Sequence, residues 1–417
     1  MQPSPAPSDD FKRFAAVLPP AGEDVFTGRT ILQIIPALEE GGAERTTIDI
    51  AAALTQAGAR ALVATEGGRL VGELQARGGL WIPFGASTKN PLRIFGNAKR
   101  LRTLILREKI DLVHARSRAP AWSAHLATQK PKLPFVTTYH GAYSGRTRLK
   151  QKYNSVMVAG DAVIANSWFT AHSIAAVWPE AAPRVHVIHR GTDLAAFTPS
   201  AVTVERVEAL RRTWDVAPHQ RIILLPGRLT AWKGQRVLIE AAAIARQGGL
   251  DDVVYILAGD HQGREAYAAE LKAQAASLGL GEVVRQVGHC GDMPAAYLSA
   301  AVVTIPSTGP EAFGRTAVEA QAMGCPVIVS DHGATSETVL APPETPAGRR
   351  TGWRVNAGDA AALAAAMQEA LALGASARDA LALRARAHVE THFSLEAMCR
   401  ATLAVYASLI HPADKTA

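Results

Sequence analysis

A strand–loop–helix–strand pattern between residues 301 and 330 constrains the fold of this 417-residue chain more than any other feature. An apolar run at 301–305 ends at Pro306, and a loop, a helical stretch and a second apolar run at 327–329 follow it. Two short apolar strands joined through a helix are typical of parallel sheets, because parallel neighbours need a crossover connection. The pattern therefore predicts an α/β fold.

Two carboxylates flank the start of the predicted helix. Glu311 lies in the preceding loop and Glu319 eight residues later, which is about 80° around the helix axis. Between them, the backbone N–H groups of 313–316 should lie at the helix N-terminus, where phosphate binds readily. This arrangement suits a phosphorylated ligand that also carries hydroxyl groups. The alternative is that Glu311 only complements the helix dipole and Glu319 lies on the surface.

The stretch 309–330 resembles the Glu-x7-Glu signature of the family 4 glycosyltransferases, which are retaining enzymes with the GT-B fold. The segment Ala-Met-Gly-Cys-Pro-Val-Ile at 322–328 also matches, and the resemblance extends from about residue 30 to 400. It implies that Glu311 lies beside the donor sugar and that Glu319 binds the ribose of a nucleoside-diphosphate sugar. Arg315 departs from the family pattern, in which an apolar or small residue is expected. The predicted donor-binding residues at this helix are Glu311, Phe313, Gly314, Arg315, Thr316 and Glu319.

Apolar strand-like runs alternate with helical patterns through the rest of the chain. The runs lie at 30–35, 61–64, 81–83, 111–114, 135–138, 162–165, 185–188, 221–225, 253–258 and 283–287. Such alternation favours parallel sheets with helices on both faces, which bind ligands at the carboxyl ends of their strands. The resemblance implies two Rossmann-like, doubly wound domains that face a central cleft.

The segment 189–193, His-Arg-Gly-Thr-Asp, resembles the hinge signature of the family, and we place the domain linker just after it, at 197–200. The predicted organisation is a mobile tail at 1–28, an acceptor-binding domain at 29–197 and a nucleotide-sugar-binding domain at 198–392. A C-terminal helix at about 393–417 is expected to pack back on the first domain.

Two loops of the first half are candidates for contacts with the donor. Gly41 and Gly42 follow the first strand-like run, where glycine lets a ligand approach the backbone closely; the alternative is a plain tight turn. His140 follows the run at 135–138. The resemblance implies that the glycine loop faces the donor phosphates and the acceptor, and that His140 contacts the donor sugar and supports transfer.

A third loop of the first half carries two arginines directly after the run at 111–114. Arg116 and Arg118 can bind a carboxylate or phosphate through two parallel hydrogen bonds. Together with Tyr139 they are the predicted acceptor contacts. The alternative is a basic helix terminus that faces solvent.

In the second half, Gly227, Arg228 and Lys233 follow the run at 221–225. Two cations beside a turn suit a pyrophosphate, whose negative charge grows as it leaves the sugar. The resemblance assigns Arg228 and Lys233 to the donor phosphates, and the alternative is two exposed basic residues. The predicted catalytic set is therefore His140, Glu311, Arg228 and Lys233.

The positive charge is concentrated in one segment. Residues 89–152 contain fifteen Lys and Arg against two acids, a net charge of +13, so the rest of the chain carries −6. Such an excess favours an anionic partner, either a membrane surface or a phosphorylated glycolipid or saccharide. The chain has no nucleic-acid-binding motif, so we do not expect a nucleic-acid partner.

Composition and missing motifs argue against a disulfide-bonded, membrane-spanning or metal-dependent protein. Three cysteines, far apart and odd in number, indicate neither a disulfide framework nor a metal site, which favours a reducing cytoplasm. The N-terminal sequence lacks the pattern of a signal peptide, and no run of about 18 apolar residues predicts a membrane-spanning helix. Without an Asp-x-Asp motif or another acid cluster suited to Mg²⁺ or Mn²⁺, we expect no metal and no cofactor.

These observations predict a retaining, metal-independent hexosyltransferase that uses a UDP- or GDP-linked sugar. The expected acceptor is a membrane-associated glycolipid, with lipopolysaccharide core as the first candidate, and the expected location is the inner face of the cytoplasmic membrane. Two alternatives remain open: a sugar-nucleotide epimerase with the same fold, and a non-catalytic nucleotide- or anion-binding protein. The residues leave the base, the sugar, the linkage and the oligomeric state open.

Overall fold

The computed structural model describes residues 13–22, 24–39, 41–141 and 147–410. The chain divides into two compact domains, the first formed by residues up to Gly191 together with those from Leu395 onward, and the second by Thr192–Ser394. The first boundary precedes the predicted linker because Thr192 pairs with Ser394 and Phe197 packs beside Phe313 in the second domain.

The first domain contains a seven-stranded sheet whose paired strands are all parallel. The strand order is β3-β2-β1-β4-β5-β6-β7. Most of these strands are buried along their whole length, as parallel strands covered on both faces usually are. The strands are β1 Thr30–Ile34, β2 Arg60–Thr65, β3 Leu80–Pro83, β4 Leu112–Ala115, β5 Phe135–Tyr139, β6 Ala162–Ala165 and β7 Val185–Val187.

Helices connect these strands. They are α1 Gly42–Gln56, α2 Val71–Ala76, α3 Pro91–Glu108, α4 Arg118–Thr128, α5 Arg148–Asn154 and α6 Trp168–Val177. Two aromatic side chains in the segment predicted as a mobile tail are buried instead, because Phe14 and Phe26 each pack into a core cluster of this domain. Residues 1–12 and 23 of that predicted tail lie outside the described residues.

The second domain repeats the architecture with a six-stranded sheet of order β10-β9-β8-β11-β12-β13. Its strands are β8 Arg221–Pro226, β9 Val253–Ala258, β10 Val284–Gly288, β11 Val302–Ile305, β12 Val327–Ser330 and β13 Trp353–Val355. Its helices are α7 Val204–Thr213, α8 Gln235–Gln247, α9 Glu265–Ser277, α10 Met293–Ser299, α11 Arg315–Ala322, α12 Thr335–Thr338, α13 Ala360–Leu371 and α14 Ala375–His392. The predicted pair of doubly wound α/β domains is confirmed.

The last helix, α15 Leu395–Ile410, belongs to the first domain and packs on α1. Its Tyr406 is fully buried, and its hydroxyl is hydrogen-bonded to Nδ1 of His114 at 2.5 Å. No single helix in the described part of the chain is long and apolar enough to cross a membrane; α13 and α14 pass that test only as a pair, which bends by 111°.

In each sheet the chain winds outward in both directions from two neighbouring strands, β1 and β4 in the first domain and β8 and β11 in the second. The loops that follow such strands diverge, which leaves a crevice at their carboxyl ends where ligands of open α/β sheets bind. Most of the candidate residues lie in or next to such loops. Tyr139 and His140 lie instead at the end of β5, and Thr316 and Glu319 lie on α11.

Candidate functional site

A buried ion pair lies at the carboxyl ends of β8 and β11. Nζ of Lys233 donates to Oε1 of Glu311 at 2.7 Å, and the two side chains are only 16% and 10% exposed. The hydroxyl of Ser307 donates to the same carboxylate oxygen at 2.6 Å. The side chain of Glu311 is therefore held by one cation and one hydroxyl. It does more than complement the helix dipole, which was the alternative interpretation.

Backbone hydrogen bonds from a third loop fix Glu311. Its N–H donates to the carbonyl of His332 at 3.3 Å, and its own carbonyl accepts from the N–H of Ala334 at 2.8 Å. The loop of His332 follows β12, the neighbour of β11 in the sheet. The carboxylate is therefore held by rigid neighbours on both sides, as a group that must orient a substrate should be.

The turn that carries Lys233 is fixed by a glycine. Gly234 has φ of 78°, and a Cβ there would lie 1.8 Å from the carbonyl oxygen of Pro306. A side chain at this position would separate the loops that bring Lys233 and Glu311 together. The N–H of Thr308 also donates to the carbonyl of Trp232 at 2.8 Å, and the Lys233 ammonium lies 4.4 Å from the centre of the Trp232 ring.

Arg228 lies in the same turn as Lys233. Its carbonyl accepts a hydrogen bond from the side chain of Gln235 at 3.0 Å, and the N–H of Gly227 donates to the carbonyl of Ala258 at 2.9 Å. Within the described part of the chain, the Arg228 side chain forms no ion pair. Its charge is therefore available to an anionic ligand.

Glu319 is held by two side chains on the buried side of α11. Its Oε2 accepts from the hydroxyl of Tyr297 at 2.9 Å, and its Oε1 accepts from Nε of Arg315 at 2.7 Å. Burial, followed by the charge of Glu319, raises the pKa of Tyr297 well above its ordinary value, so the hydroxyl remains a donor. Glu319 is 7% exposed, which excludes the alternative that it is a surface residue.

The partners of Glu319 explain the departure at position 315. Arg315 lies one turn before Glu319, where a cation can pair with a carboxylate on the same helix face. The sequence could have suggested this i, i+4 pair. It gave no signal for Tyr297, which lies on α10, 22 residues from Glu319.

Gly314 is the N-cap residue of α11, and its φ of 87° and ψ of 46° lie in the left-handed region that favours glycine. Phe313 is 2% exposed, and its ring packs edge-on against Phe393 with centroids 5.5 Å apart. Its side chain therefore belongs to the core, and only its backbone can contact a ligand. Thr316 lies in the first turn of the helix.

In the first domain, the structure brings His140 and Arg190 together. Nη2 of Arg190 donates to Nδ1 of His140 at 3.1 Å. Burial, with the nearby charges of Arg190 and Arg116, lowers the pKa of His140 well below its ordinary value. The imidazole is therefore neutral at neutral pH. Because Nδ1 accepts, the ring carries its proton on Nε2.

The glycine loop lies against the same arginine. A Cβ on Gly42 would lie 1.9 Å from Nη1 of Arg190, so this position accommodates the guanidinium only because it has no side chain. Gly41 precedes α1 as its N-cap residue. The contact that the resemblance implies between these glycines and a donor stays a prediction.

The three predicted acceptor contacts do not converge. Tyr139 is 2% exposed and packs in the core of the first domain, and its predicted contact with the acceptor stays a prediction. Arg118 donates to the side chain of Asn154 at 3.0 Å and lies over the ring of Tyr153. Arg116 is 2% exposed and donates through Nε to Gln33 at 2.7 Å. The sequence placed these residues at the ends of the neighbouring strands β4 and β5, but it did not predict the direction in which each side chain points.

Comparison with known families identifies the class of protein. The model of Glycosyltransferase Family 4 matches residues 40–196, and the model of Glycosyl transferases group 1 matches residues 207–388. A glycosyltransferase from Rickettsia africae has a solved structure that is 34% identical over 92% of this chain and 99% of its own, with a TM-score of 0.84. The chain belongs to the family 4 glycosyltransferases, which confirms the GT-B fold.

Two further relatives carry ligand information in their names. A D-inositol 3-phosphate glycosyltransferase from Jonesia denitrificans is 32% identical over 55% of this chain. The match spans 57% of that relative, and a second match of the same name, from Catenulispora acidiphila, spans 45%. HepE from Anabaena, solved in complex with UDP-glucose, is 25% identical over 88% of this chain and 96% of its own, with a TM-score of 0.74.

Proposed function

We propose that this protein transfers a hexose from a nucleoside-diphosphate sugar to an anionic acceptor, with retention of the anomeric configuration and without a metal ion. The observation that carries the proposal is the buried pair of Lys233 and Glu311 at the switch point of the second sheet, with Arg228 in the same turn. UDP-glucose is the first donor to test, since a relative was solved with it.

The geometry suggests a division of labour at the donor. The bond between C1 of the sugar and the oxygen of the β-phosphate breaks, so negative charge develops on the departing diphosphate. Lys233 and Arg228 would stabilise this charge, which is the kind of preorganised electrostatic help that lowers barriers most. Glu311 would hold the sugar through its hydroxyls, and Glu319 would accept hydrogen bonds from the ribose.

The acceptor oxygen would form the new bond to C1 on the face from which the diphosphate leaves. Its proton would pass to the oxygen of the departing β-phosphate, so that the step needs no further base. Among the described residues, no group of three or more His, Cys, Asp or Glu side chains converges as a metal site would require. We therefore assign charge neutralisation to the two cations, and chelation tests that assignment.

The donor proposal predicts a selective thermal shift. In a panel of UDP-, GDP-, ADP- and CMP-sugars with EDTA present, we expect one donor to raise the Tm, by about 5 °C or more at 100 times its Kd. Arg228→Ala should abolish most of that shift, while Arg246→Ala, which removes an exposed cation in the last turn of α8, should retain it. No shift with any donor, or a shift only after metal is restored, would contradict the proposal.

The product separates the alternatives. With a lipid extract as acceptor, a glycosyltransferase releases nucleoside diphosphate only when the acceptor is present, and NMR of the product shows the anomeric configuration of the donor. An epimerase would convert the donor in the absence of an acceptor, and a binding protein would convert nothing.

The exposed face of α3 supports an acceptor at a membrane. Leu92 and Phe95 are 82% and 63% exposed, and Arg93, Lys99 and Arg100 lie beside them on the same exposed face. Apolar side chains flanked by cations are typical of helices that lie in the interface of an anionic bilayer. We propose peripheral attachment to the inner face of the cytoplasmic membrane, with a phosphorylated glycolipid, such as lipopolysaccharide core, as acceptor.

Liposome flotation tests this attachment. We expect the protein to float with vesicles containing phosphatidylglycerol and to remain in solution with phosphatidylcholine alone. Replacing Leu92 and Phe95 by Ser should weaken vesicle binding by about 100-fold or more, since each substitution removes roughly 1.5–3 kcal/mol of apolar burial. Leu383→Ser, at an exposed position of α14 in the second domain, is the matched control. Equal binding to both vesicle types would overturn the proposal.

A further inference from the structure

Arg116 is a buried cation in the first domain. It follows β4, is 2% exposed, and its backbone N–H donates to the carbonyl of Ile34 at 3.0 Å. Its Nε donates to the amide oxygen of Gln33, but its Nη2, also buried, has no hydrogen-bond partner within the part of the chain that the structure describes. A buried charge with an unsatisfied donor is costly unless something compensates it.

No carboxylate of the described residues pairs with this guanidinium. The hydroxyl of Tyr406 lies beside the guanidinium and is its first favourable partner, but that group is neutral; Asp49 follows, and its carboxylate already accepts a hydrogen bond from Arg77 at 2.8 Å. Both ring nitrogens of the neighbouring His114 are occupied, one by Tyr406 and the other by Thr138. Burial, followed by the charge of Arg116, lowers the pKa of His114 well below its ordinary value, so this ring adds no second positive charge and supplies no negative one.

Arg116 and His140 line one cavity of about 20 Å³. The other polar groups that line it belong to His114, Thr138, Arg190, Thr46, Asn166 and Thr402, and none of its lining residues is an acid. Nε2 of His140 and Nδ2 of Asn166 are buried donors that likewise have no partner in the described chain. Three unsatisfied donors and a permanent positive charge therefore line the same small space.

We infer that this cavity is an anion subsite, which receives an oxygen of a phosphate or carboxylate between Nη2 of Arg116 and Nε2 of His140. The volume suits a single oxygen atom, since a water needs about 10–15 Å³ measured in this way. The rest of the anion would remain outside the cavity. The anion is either a free oxyanion or the charged group of the acceptor. The second possibility rests on the proposed function.

The anion subsite predicts a phosphate-dependent rise in the Tm of the full-length protein. Phosphate replaces chloride at constant ionic strength, and saturating UDP is present so that Lys233 and Arg228 are already occupied. We expect a rise of roughly 5–10 °C at 100 times the Kd of phosphate. Arg116→Gln should abolish the rise, because Gln can still bond Gln33 but carries no charge.

Two controls distinguish loss of the anion subsite from a general loss of charge or stability. Arg102→Gln removes a partly buried arginine of the same domain that donates to the carbonyl of Leu126, and it should retain the full response to phosphate. Without phosphate, Arg116→Gln should melt no lower than the native protein, because it removes an uncompensated buried charge. A native protein that does not respond to phosphate, or an Arg116→Gln variant with a native response, overturns the anion subsite.

Kinetics then identify the source of the anion. If the acceptor supplies it, phosphate competes with the acceptor in a lipid extract, and Arg116→Gln raises the apparent KM for that extract about 10- to 100-fold, the value of a hydrogen bond to a charged group. If a free oxyanion binds, the thermal response is lost in Arg116→Gln while this KM is unchanged. Failure of the donor panel, by contrast, would refute the proposed function and leave the phosphate response of Arg116 as it is.

Discussion

Replacing Lys233 by Ala should lower kcat about 10²- to 10³-fold, because it removes a cation aimed at the charge that develops on the departing diphosphate. The ammonium group is held in place before any ligand binds, by Glu311 at 2.7 Å and by the ring of Trp232. Steady-state kinetics with the donor identified by thermal shift would measure the loss. The KM of the donor should rise less than kcat falls, since the charge is largest in the transition state.

A matched control distinguishes this effect from a general loss of positive charge. Lys272→Ala removes an exposed lysine of α9 in the same domain and should leave kcat unchanged. The Lys233→Ala protein also needs a melting curve, because among the described residues the variant leaves the Glu311 carboxylate with only the Ser307 hydroxyl as a side-chain partner. A folded Lys233→Ala enzyme with native turnover would refute the role of Lys233.

Much of the fold could be predicted because parallel α/β sheets leave a strong local pattern. The apolar runs at 162–165 and 253–258 coincide with β6 and β9, and most other strands differ by one residue at an end. The edge strand β13 was missed because its three residues, Trp-Arg-Val, form no apolar run. Residues 13–28 lack periodicity, so the burial of Phe14 and Phe26 left no trace in the sequence.

The sequence predicted individual residues of the candidate site but not the contacts between them. Strand ends and glycine turns indicated Lys233 and Glu311 individually, but their contact spans 78 residues and depends on β8 and β11 becoming neighbours in the sheet. The same limit applies to Arg116, which was predicted as an acceptor contact from its place after a strand. Its burial arises from α15, which follows it by about 280 residues and supplies the hydroxyl of Tyr406 beside it.

Substitutions of Glu311, in the loop before α11, and of Glu319, on α11, should change the kinetics in different ways. Glu311 pairs with Lys233, which we propose faces the reacting bond, whereas Glu319 is fixed by Tyr297 and Arg315, on α10 and α11. A residue that binds the ribose contributes equally before and during transfer. Its loss therefore raises KM and leaves kcat nearly constant.

We therefore expect Glu319→Ala to raise the KM of the donor about 100-fold or more, with kcat changed less than about threefold. A carboxylate that accepts two ribose hydroxyls contributes roughly 1.5–3 kcal/mol for each bond. Glu319→Gln keeps an acceptor for Tyr297 and should lie between the native enzyme and Glu319→Ala. Glu240→Gln, on the exposed side of α8, is the control.

The contact network of Glu319 also allows a purely structural role, and the same measurements separate the two. If Glu319 only ties Tyr297 to Arg315, Glu319→Ala lowers the Tm while the KM of the donor stays native in the fraction that folds. If Glu319 binds the ribose, the donor-induced thermal shift falls in both variants even where their ligand-free Tm is close to native. The second result would also explain Arg315: a cation beside Glu319 orients the carboxylate before the ribose arrives.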